Sequence, residues 1–169
     1  CKDFNLNLEK ALKEELKNEM RKTKYPTEED QKRIYVEIHE NNPNFGLPDF
    51  ILGLYHKKNK SFRKADAQFL LSLERGYNPV HCFIQMIDLK LIQRDWQRGI
   101  GLSRQAVEKE GEQPEFYFLM GYCHYQLEER KQALACFDKT LELKPFEVEA
   151  IRNLAVIYLN QTEFDKAIP

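Results

Sequence analysis

Apolar residues along the chain fall into amphipathic stretches of about a dozen residues, joined by short polar segments such as 57–60 and 128–130. Apolar positions that recur near every 3.6 residues predict helices, and the polar segments between them predict turns. Two stretches of this kind in succession predict a pair of antiparallel helices. The pattern as a whole therefore predicts an all-α chain of helical hairpins, with about ten helices.

Three series of residues recur at a spacing of 34 positions. One series consists of small residues: Ala65, Gly99, Ala133 and Ala167. Another runs in the same phase through Gly53, Ile87, Gly121 and Ala155, and a third, mostly aromatic, through Phe62, Trp96, Arg130 and Phe164. Small side chains allow two helix axes to approach to about 8 Å. A single hairpin cannot cover its own apolar face, so hairpins of fixed length are expected to stack on their neighbours.

The best-preserved unit covers residues 114–147. Its spaced positions are Tyr117, Met120, Gly121, His124, Ala133, Phe137 and Pro145. This arrangement resembles the tetratricopeptide repeat (TPR) family, whose pattern is W-x2-L-G-x2-Y, then A-x3-F, then P. The resemblance covers residues 46–169 and weakens toward the N-terminus. It implies an α-solenoid of antiparallel helical hairpins, a TPR-like superhelix.

The 34-residue period divides the chain into units. We predict a TPR-like repeat at 46–79, a divergent one at 80–113, the clear repeat at 114–147 and a truncated repeat at 148–169. The second of these is divergent because Ile87 and Lys90 replace a small residue and an aromatic residue. The last ends within its predicted second helix, which suggests a fragment of a longer array. Residues 1–45 are expected to form a helical hairpin, either a degenerate repeat or a cap.

The resemblance also implies a binding groove, because in this family the first helices of successive units line a concave surface that receives a partner. The corresponding positions in this chain are Phe50, Leu54, Ile84, Asp88, Leu91, Phe118, Tyr122, Tyr125, Arg152 and Val156. This largely apolar and aromatic set argues against a clamp for a terminal carboxylate. It favours a scaffold that docks an apolar helix or peptide of a partner protein and assembles a multiprotein complex. The alternative is that the chain's own N-terminal helix fills the groove.

No residue pattern points to catalysis. The four histidines include no pair at metal-binding spacing, the four cysteines include no C-x2-C, and the usual nucleophile and phosphate-loop motifs are absent. We therefore expect no enzyme activity, no cofactor and no metal. A non-catalytic accessory domain of a larger enzyme is an alternative to the scaffold.

Charge and termini bear on partners and location. Lysine and arginine (26) nearly balance aspartate and glutamate (27), so no partner nucleic acid is expected. No apolar run reaches eighteen residues, so no transmembrane segment is predicted. A cytoplasmic location is expected. In the alternative, Cys1 is a processed, lipid-anchored N-terminus and the protein is a periplasmic or membrane-anchored bacterial lipoprotein. Self-association through the truncated end is a further expectation.

Overall fold

The computed structural model describes residues 46–167 and, before them, only positions 14, 29, 30, 33, 36, 37 and 40; from 161 onward it describes the backbone alone. Every regular element in the described part is a helix, which confirms the all-α prediction. The helices are α1 Leu47–Lys58, α2 Phe62–Glu74, α3 Pro79–Ile92, α4 Trp96–Glu110, α5 Pro114–Gln126, α6 Arg130–Leu143 and α7 Val148–Ala167. The predicted hairpin at 1–45 lies outside the described residues.

Local sequence explains where several of these helices begin and end. Proline occupies the first turn of α1 and of α5, where its missing N–H is not needed. The Asp95 carboxylate accepts a hydrogen bond from the Arg98 backbone N–H and so caps α4. After α2 and α4 the chain passes through Gly76 and Gly111 at φ 76° and 81°, a left-handed conformation that glycine adopts at little cost.

The chain divides into two compact units, Cys1–Cys82 and Phe83–Pro169, with the boundary inside α3. In the first unit, α1 packs against α2 at a glycine. A Cβ on Gly53 would lie 2.5 Å from the Phe69 ring, so the ring occupies the space that a side chain would need. At the other end of the hairpin, Arg75 on the chain after α2 joins α1 by hydrogen bonds: its guanidinium donates to both carboxylate oxygens of buried Asp49 at 2.9 Å. Pairing offsets the cost of burying that carboxylate.

The second unit repeats the glycine contact in α5 and α6. A Cβ on Gly121 would lie 3.0 Å from both the Cys136 Cβ and the Phe137 ring. The buried core beside this contact consists of Ala133, Phe137, Ala150, Leu154 and Ile157, contributed by α6 and α7. The small residues therefore act as the period predicts, by admitting an aromatic ring from the neighbouring helix.

The turns inside the hairpins share one backbone feature. Lys60, Arg94 and Glu128 have φ values of 56°, 57° and 61°, and they are spaced 34 residues apart. Few residues other than glycine adopt positive φ, so this series marks the point where each hairpin reverses.

The last unit differs from the prediction at the next step of this series. Position 162 is threonine, and β-branched residues rarely adopt positive φ. Helix α7 continues without interruption from Val148 to Ala167, so residues 148–167 form one helix where a turn and a second helix were expected. This single helix and the predicted hairpin outside the described residues account for seven helices against about ten predicted. The predicted unit boundaries themselves stay predictions.

Candidate binding surface

Two of the predicted groove residues meet in the second unit. Ile84 on α3 and Phe118 on α5 are both half-buried and line one cleft of about 180 Å³. The remaining lining comes from the ends of helices in the same unit: Pro114, Glu115, Leu119, Thr140, Lys144 and Glu147. The cleft therefore has an apolar floor with charged groups beside it.

The charged side of this cleft contains an ion pair. Lys144 Nζ lies 2.5 Å from Glu147 Oε2. The hydrogen bond to Glu147 and its negative charge raise the pKa of Lys144, and the more distant carboxylate of Glu115 acts in the same direction. One lysine among two glutamates leaves this rim with a net negative charge. A partner with apolar residues followed by a basic one would match both features.

The aromatic residues of α5 that were predicted to line the groove are partly buried in the interior. Phe118, Tyr122 and Tyr125 are half-buried and pack against the core formed by α6 and α7. The Phe118 ring lies 5.8 Å from the Phe137 ring, and the Tyr122 ring 6.2 Å from the Trp96 ring. These side chains therefore stabilise the fold, and only part of each is available to a partner.

Two further predicted groove residues, Asp88 and Leu91, lie on α3. Leu91 is half-buried and packs against the buried cluster of Ile100, Met120 and Cys123, so only part of it is open to a partner. Asp88 is half-buried.

In the first unit, Phe50 lies within an aromatic cluster. Its ring centroid is 4.8 Å from that of Tyr77, 5.5 Å from that of Phe69 and 6.3 Å from that of His81. Leu54, one turn farther along α1, is 38% exposed. Leu54 is thus accessible to a partner, whereas Phe50 mainly packs within its own unit.

The predicted residues of α7 are exposed. Arg152 forms an ion pair with Glu149 one turn earlier, at 3.0 Å. Val156 is 38% exposed.

A second, larger cleft was not anticipated from the sequence. It measures about 610 Å³ and is lined by residues of α4, α5 and α6: Arg104, Val107, Glu108, Tyr117, Met120, His124, Gln132, Ala135, Cys136 and Lys139. At one end, Lys139 and the Tyr117 hydroxyl both contact Glu112, and the hydrogen bond from Lys139 is the main cause of the lowered pKa of Glu112. No sequence signal reveals this cleft, because it depends on the separation of α4 and α6.

The cysteines in these helices are packing residues. Burial raises the pKa of Cys82, Cys123 and Cys136, and for Cys123, where the neighbouring Cys136 adds to the effect, the pKa reaches about 12. A thiol with a raised pKa is a poor nucleophile at neutral pH. These side chains therefore offer no activated nucleophile.

Neither a metal site nor a membrane-spanning helix occurs among the residues that the structure describes. No group of three or more His, Cys, Asp or Glu side chains there is arranged to hold a metal ion. Within the same residues, no helix combines the length and the apolar character that crossing a membrane requires.

Comparison with known proteins identifies the repeat and the fold. The family model described as "Tetratricopeptide repeat" matches residues 114–146. MamA 41-end from Desulfovibrio magneticus RS-1 superposes with a TM-score of 0.70 at 15% identity, covering 94% of this chain and 88% of that one. YrrB, described as a TPR protein with an unusual peptide-binding site, gives 0.61 at 19% identity over 83% and 73%. The first TPR domain of human RPAP3 gives 0.63 at 17% over 74% and 98%. No curated protein sequence matches the chain.

Proposed function

Residues 114–146 are a tetratricopeptide repeat, in a fold shared with other TPR proteins, and from this premise we propose that the chain is a protein–protein interaction scaffold. Its partner is an apolar helix or peptide that docks against the groove residues and is thereby brought into a multiprotein complex. The chain itself performs no catalytic step in this proposal.

The observation that carries the proposal is the cleft shared by Ile84 and Phe118. Both residues were selected from the family's groove positions, and both line the same apolar hollow in the second unit. Its volume of about 180 Å³ suits one or two apolar side chains of a bound segment. A docked peptide is also the kind of ligand that the description of YrrB names for that protein.

The test uses a display library of random peptides of about 16 residues, selected on the intact chain. Affinities of the selected peptides are then measured for the wild type and for Ile84→Glu. We expect apolar peptides with an adjacent lysine or arginine, and at least a tenfold loss of affinity in the variant, about 1.4 kcal/mol. Ile84 is preferred to Phe118 because Phe118 also packs on Phe137, so replacing it would disturb the fold.

The matched control is Leu70→Glu. Leu70 is an apolar residue of α2 that is 46% exposed and does not line the cleft. Its replacement adds the same charge and should leave affinity within about twofold. Equal binding by wild type and Ile84→Glu, with both folded by circular dichroism, would contradict the proposal.

Location and the finer choices of partner remain proposals. We propose a cytoplasmic protein. Mass spectrometry of the natural N-terminus would decide between this location and the lipid-anchored alternative at Cys1, a residue outside the described part. Self-association through the last unit is likewise proposed, and sedimentation velocity of the intact chain over a range of concentrations would test it.

A further inference from the structure

The cleft of about 610 Å³ lies between α4 and α6, outside the predicted groove. On each helix its lining residues are spaced by three or four positions, so each helix contributes one face. The lining consists of Arg104, Val107 and Glu108 on α4, Tyr117, Met120 and His124 on α5, and Gln132, Ala135, Cys136 and Lys139 on α6. Because Met120 and His124 are buried, α5 forms the floor of the cleft, and α4 and α6 form its walls.

This cleft is not an uncovered end of the repeat array. Helix α4 packs on α5 around Ile100 and Cys123, and α7 packs on α6 around Phe137. The hairpin of α5 and α6 therefore has a packed helix on each of its two sides. A further repeat would extend the stack at α7, and it would leave the space between α4 and α6 open.

The size of the cleft suits a small organic molecule. Its floor runs from Tyr117 to His124, about 10 Å along α5 at the rise of a helix. Its volume of about 610 Å³ lies in the range of about 300–1,000 Å³ that small-molecule sites occupy. Val107, Met120 and Ala135 provide apolar contact for the carbon skeleton of such a ligand.

The charges at the Tyr117 end of the cleft are engaged with one another. Lys139 Nζ lies 3.2 Å from a carboxylate oxygen of Glu112 and 3.4 Å from one of Glu142. The contact with Glu112 joins α6 to the turn before α5, so it bounds the cleft at this end. The carboxylate of Glu108 lies toward the same end, because α4 ends where that turn begins. An anionic ligand group is therefore disfavoured here.

Away from that end, the lining has polar groups without such partners. Within the described part of the chain, Arg104 pairs with no carboxylate and the Gln132 amide makes no hydrogen bond. His124 is 5% exposed, and its Nδ1 lies 2.5 Å from Glu129 Oε2, while its Nε2 has no partner among the same residues. Burial is the main cause of the raised pKa of Cys136, and the positive charge of Arg104 opposes it, so the guanidinium lies near that thiol. The cleft thus contains an unpaired positive charge beside hydrogen-bonding groups.

We propose that this cleft binds a small apolar carboxylate, with its carbon skeleton on Met120 and its carboxylate on Arg104. The guanidinium presents N–H donors in a geometry that matches a carboxylate, and Gln132 and His124 place further polar atoms beside it. The site shares no residue with the cleft of Ile84 and Phe118. It therefore goes beyond the proposed function, and it holds or fails independently of it.

The test follows the methionine methyl groups of the intact, isotope-labelled chain by NMR. Met120 lies on the floor of the cleft, and Met86 lies on α3 and does not line it. Met120→Leu assigns the Met120 signal. Added phenylbutyrate should shift this signal saturably and leave the Met86 signal unchanged. The matched cation, phenylbutylammonium, should bind about tenfold more weakly or worse.

The variant that removes the positive charge is Arg104→Gln. It should weaken phenylbutyrate binding about tenfold and reduce the difference between the two probes. Arg98→Gln is the matched control, because the Arg98 side chain lies on the same helix, is 76% exposed, pairs with Asp95 and does not line the cleft. Its affinity for phenylbutyrate should stay within about twofold of the wild type. Circular dichroism establishes that both variants are folded.

Three results would overturn the proposal. The first is no shift of the Met120 signal, which is also the outcome expected if residues outside the described part of the chain fill the cleft. The second is equal affinity for the anion and the cation, because the cleft would then select apolar character alone. The third is an equal loss of affinity in Arg104→Gln and Arg98→Gln, which would show that Arg104 does not hold the carboxylate.

Discussion

Helices α5 and α7 occupy equivalent places in the 34-residue period, and of these two only α5 is covered by a second helix within the part of the chain that the structure describes. Gly121 on α5 lies beneath the Phe137 ring, whereas Ala155, its counterpart on α7, is exposed. Between α5 and α6 the chain reverses at Glu128, with a φ of 61°, while at the counterpart Thr162 the helix continues. The difference shows that the turn between α5 and α6 uses a residue at positive φ, whereas the chain around Thr162 keeps helical geometry.

The largest effect should come from removing the ring that covers α5. Phe137 is fully buried, and Phe137→Ala should lower the free energy of unfolding by about 4 kcal/mol, through lost burial and the cavity left behind. Phe146→Ala is the control, because Phe146 is 88% exposed and its loss should cost less than about 0.5 kcal/mol. Urea denaturation measures both values. Similar losses for the two variants would show that the ring does not cover α5.

The next effect comes from enlarging the covered glycine. Gly121→Leu should cost about 3 kcal/mol, because a Cβ there already meets Cys136 and Phe137 at 3.0 Å. The same side chain placed at Ala155 should change stability by less than about 0.5 kcal/mol, because that face of α7 is exposed. Urea denaturation of the two variants provides the comparison. Equal costs would remove the distinction between the covered and the open face.

The importance of positive φ at the turn can be tested by placing at position 128 the threonine that occupies the equivalent position, 162, in the last unit. Glu128→Thr places a β-branched residue at positive φ and should lower the free energy of unfolding by about 1 kcal/mol. Glu128→Gly should raise it by a similar amount, because glycine adopts this conformation without strain. Thermal denaturation followed by circular dichroism can resolve the two shifts. If both variants shift stability in the same direction, positive φ at this turn is not what limits the hairpin.

Replacing each of two glycines in α4 with alanine should change the free energy of unfolding in opposite directions. A Cβ on Gly99 would lie 2.7 Å from Cys123 Sγ, whereas one on Gly101 would have nothing within 4 Å. Gly99→Ala should therefore lose about 1 kcal/mol net of the gain in helix propensity. Gly101→Ala should gain about 0.5–1 kcal/mol. Chemical denaturation measures both, and stabilisation by Gly99→Ala would refute the close approach of α4 to α5.

The smallest effect concerns pH. Burial raises the pKa of Cys123 to about 12, above the value of about 8.5 for an unfolded cysteine. The contribution of this thiol to stability is complete below about pH 8.5 and is lost as the pH rises toward 12, because the unfolded chain ionises first. Between pH 8 and 9 the wild type should lose about 0.7 kcal/mol more than Cys123→Ala. An identical pH dependence in the two proteins would show that the thiol is not buried.

The sequence predicted the helical class and the packing of the clear repeat because both follow from spacing. Gly121, Ala133 and Phe137 determine which helices meet, and the structure places them as the period requires. The single helix at 148–167 was missed because hydrophobic spacing does not report the backbone conformation that a turn needs.

Individual site residues were harder to predict. Leu91 and Phe50 satisfy the family's groove positions, but their neighbours in three dimensions draw them into packing. The 610 Å³ cleft depends on the distance between α4 and α6, which no single residue encodes. Ile84 and Phe118 line one cleft, and whether a partner binds there stays a prediction.

The central claim is that glycines recurring with the period receive an aromatic ring from the second helix of the same hairpin. The most direct test is a nuclear Overhauser measurement on the intact chain between glycine Hα protons and phenylalanine ring protons. The account predicts strong effects for the pairs Gly53–Phe69 and Gly121–Phe137, whose rings lie 2.5 and 3.0 Å from the sites of a Cβ. Absence of both effects in a chain that is folded and helical would contradict it.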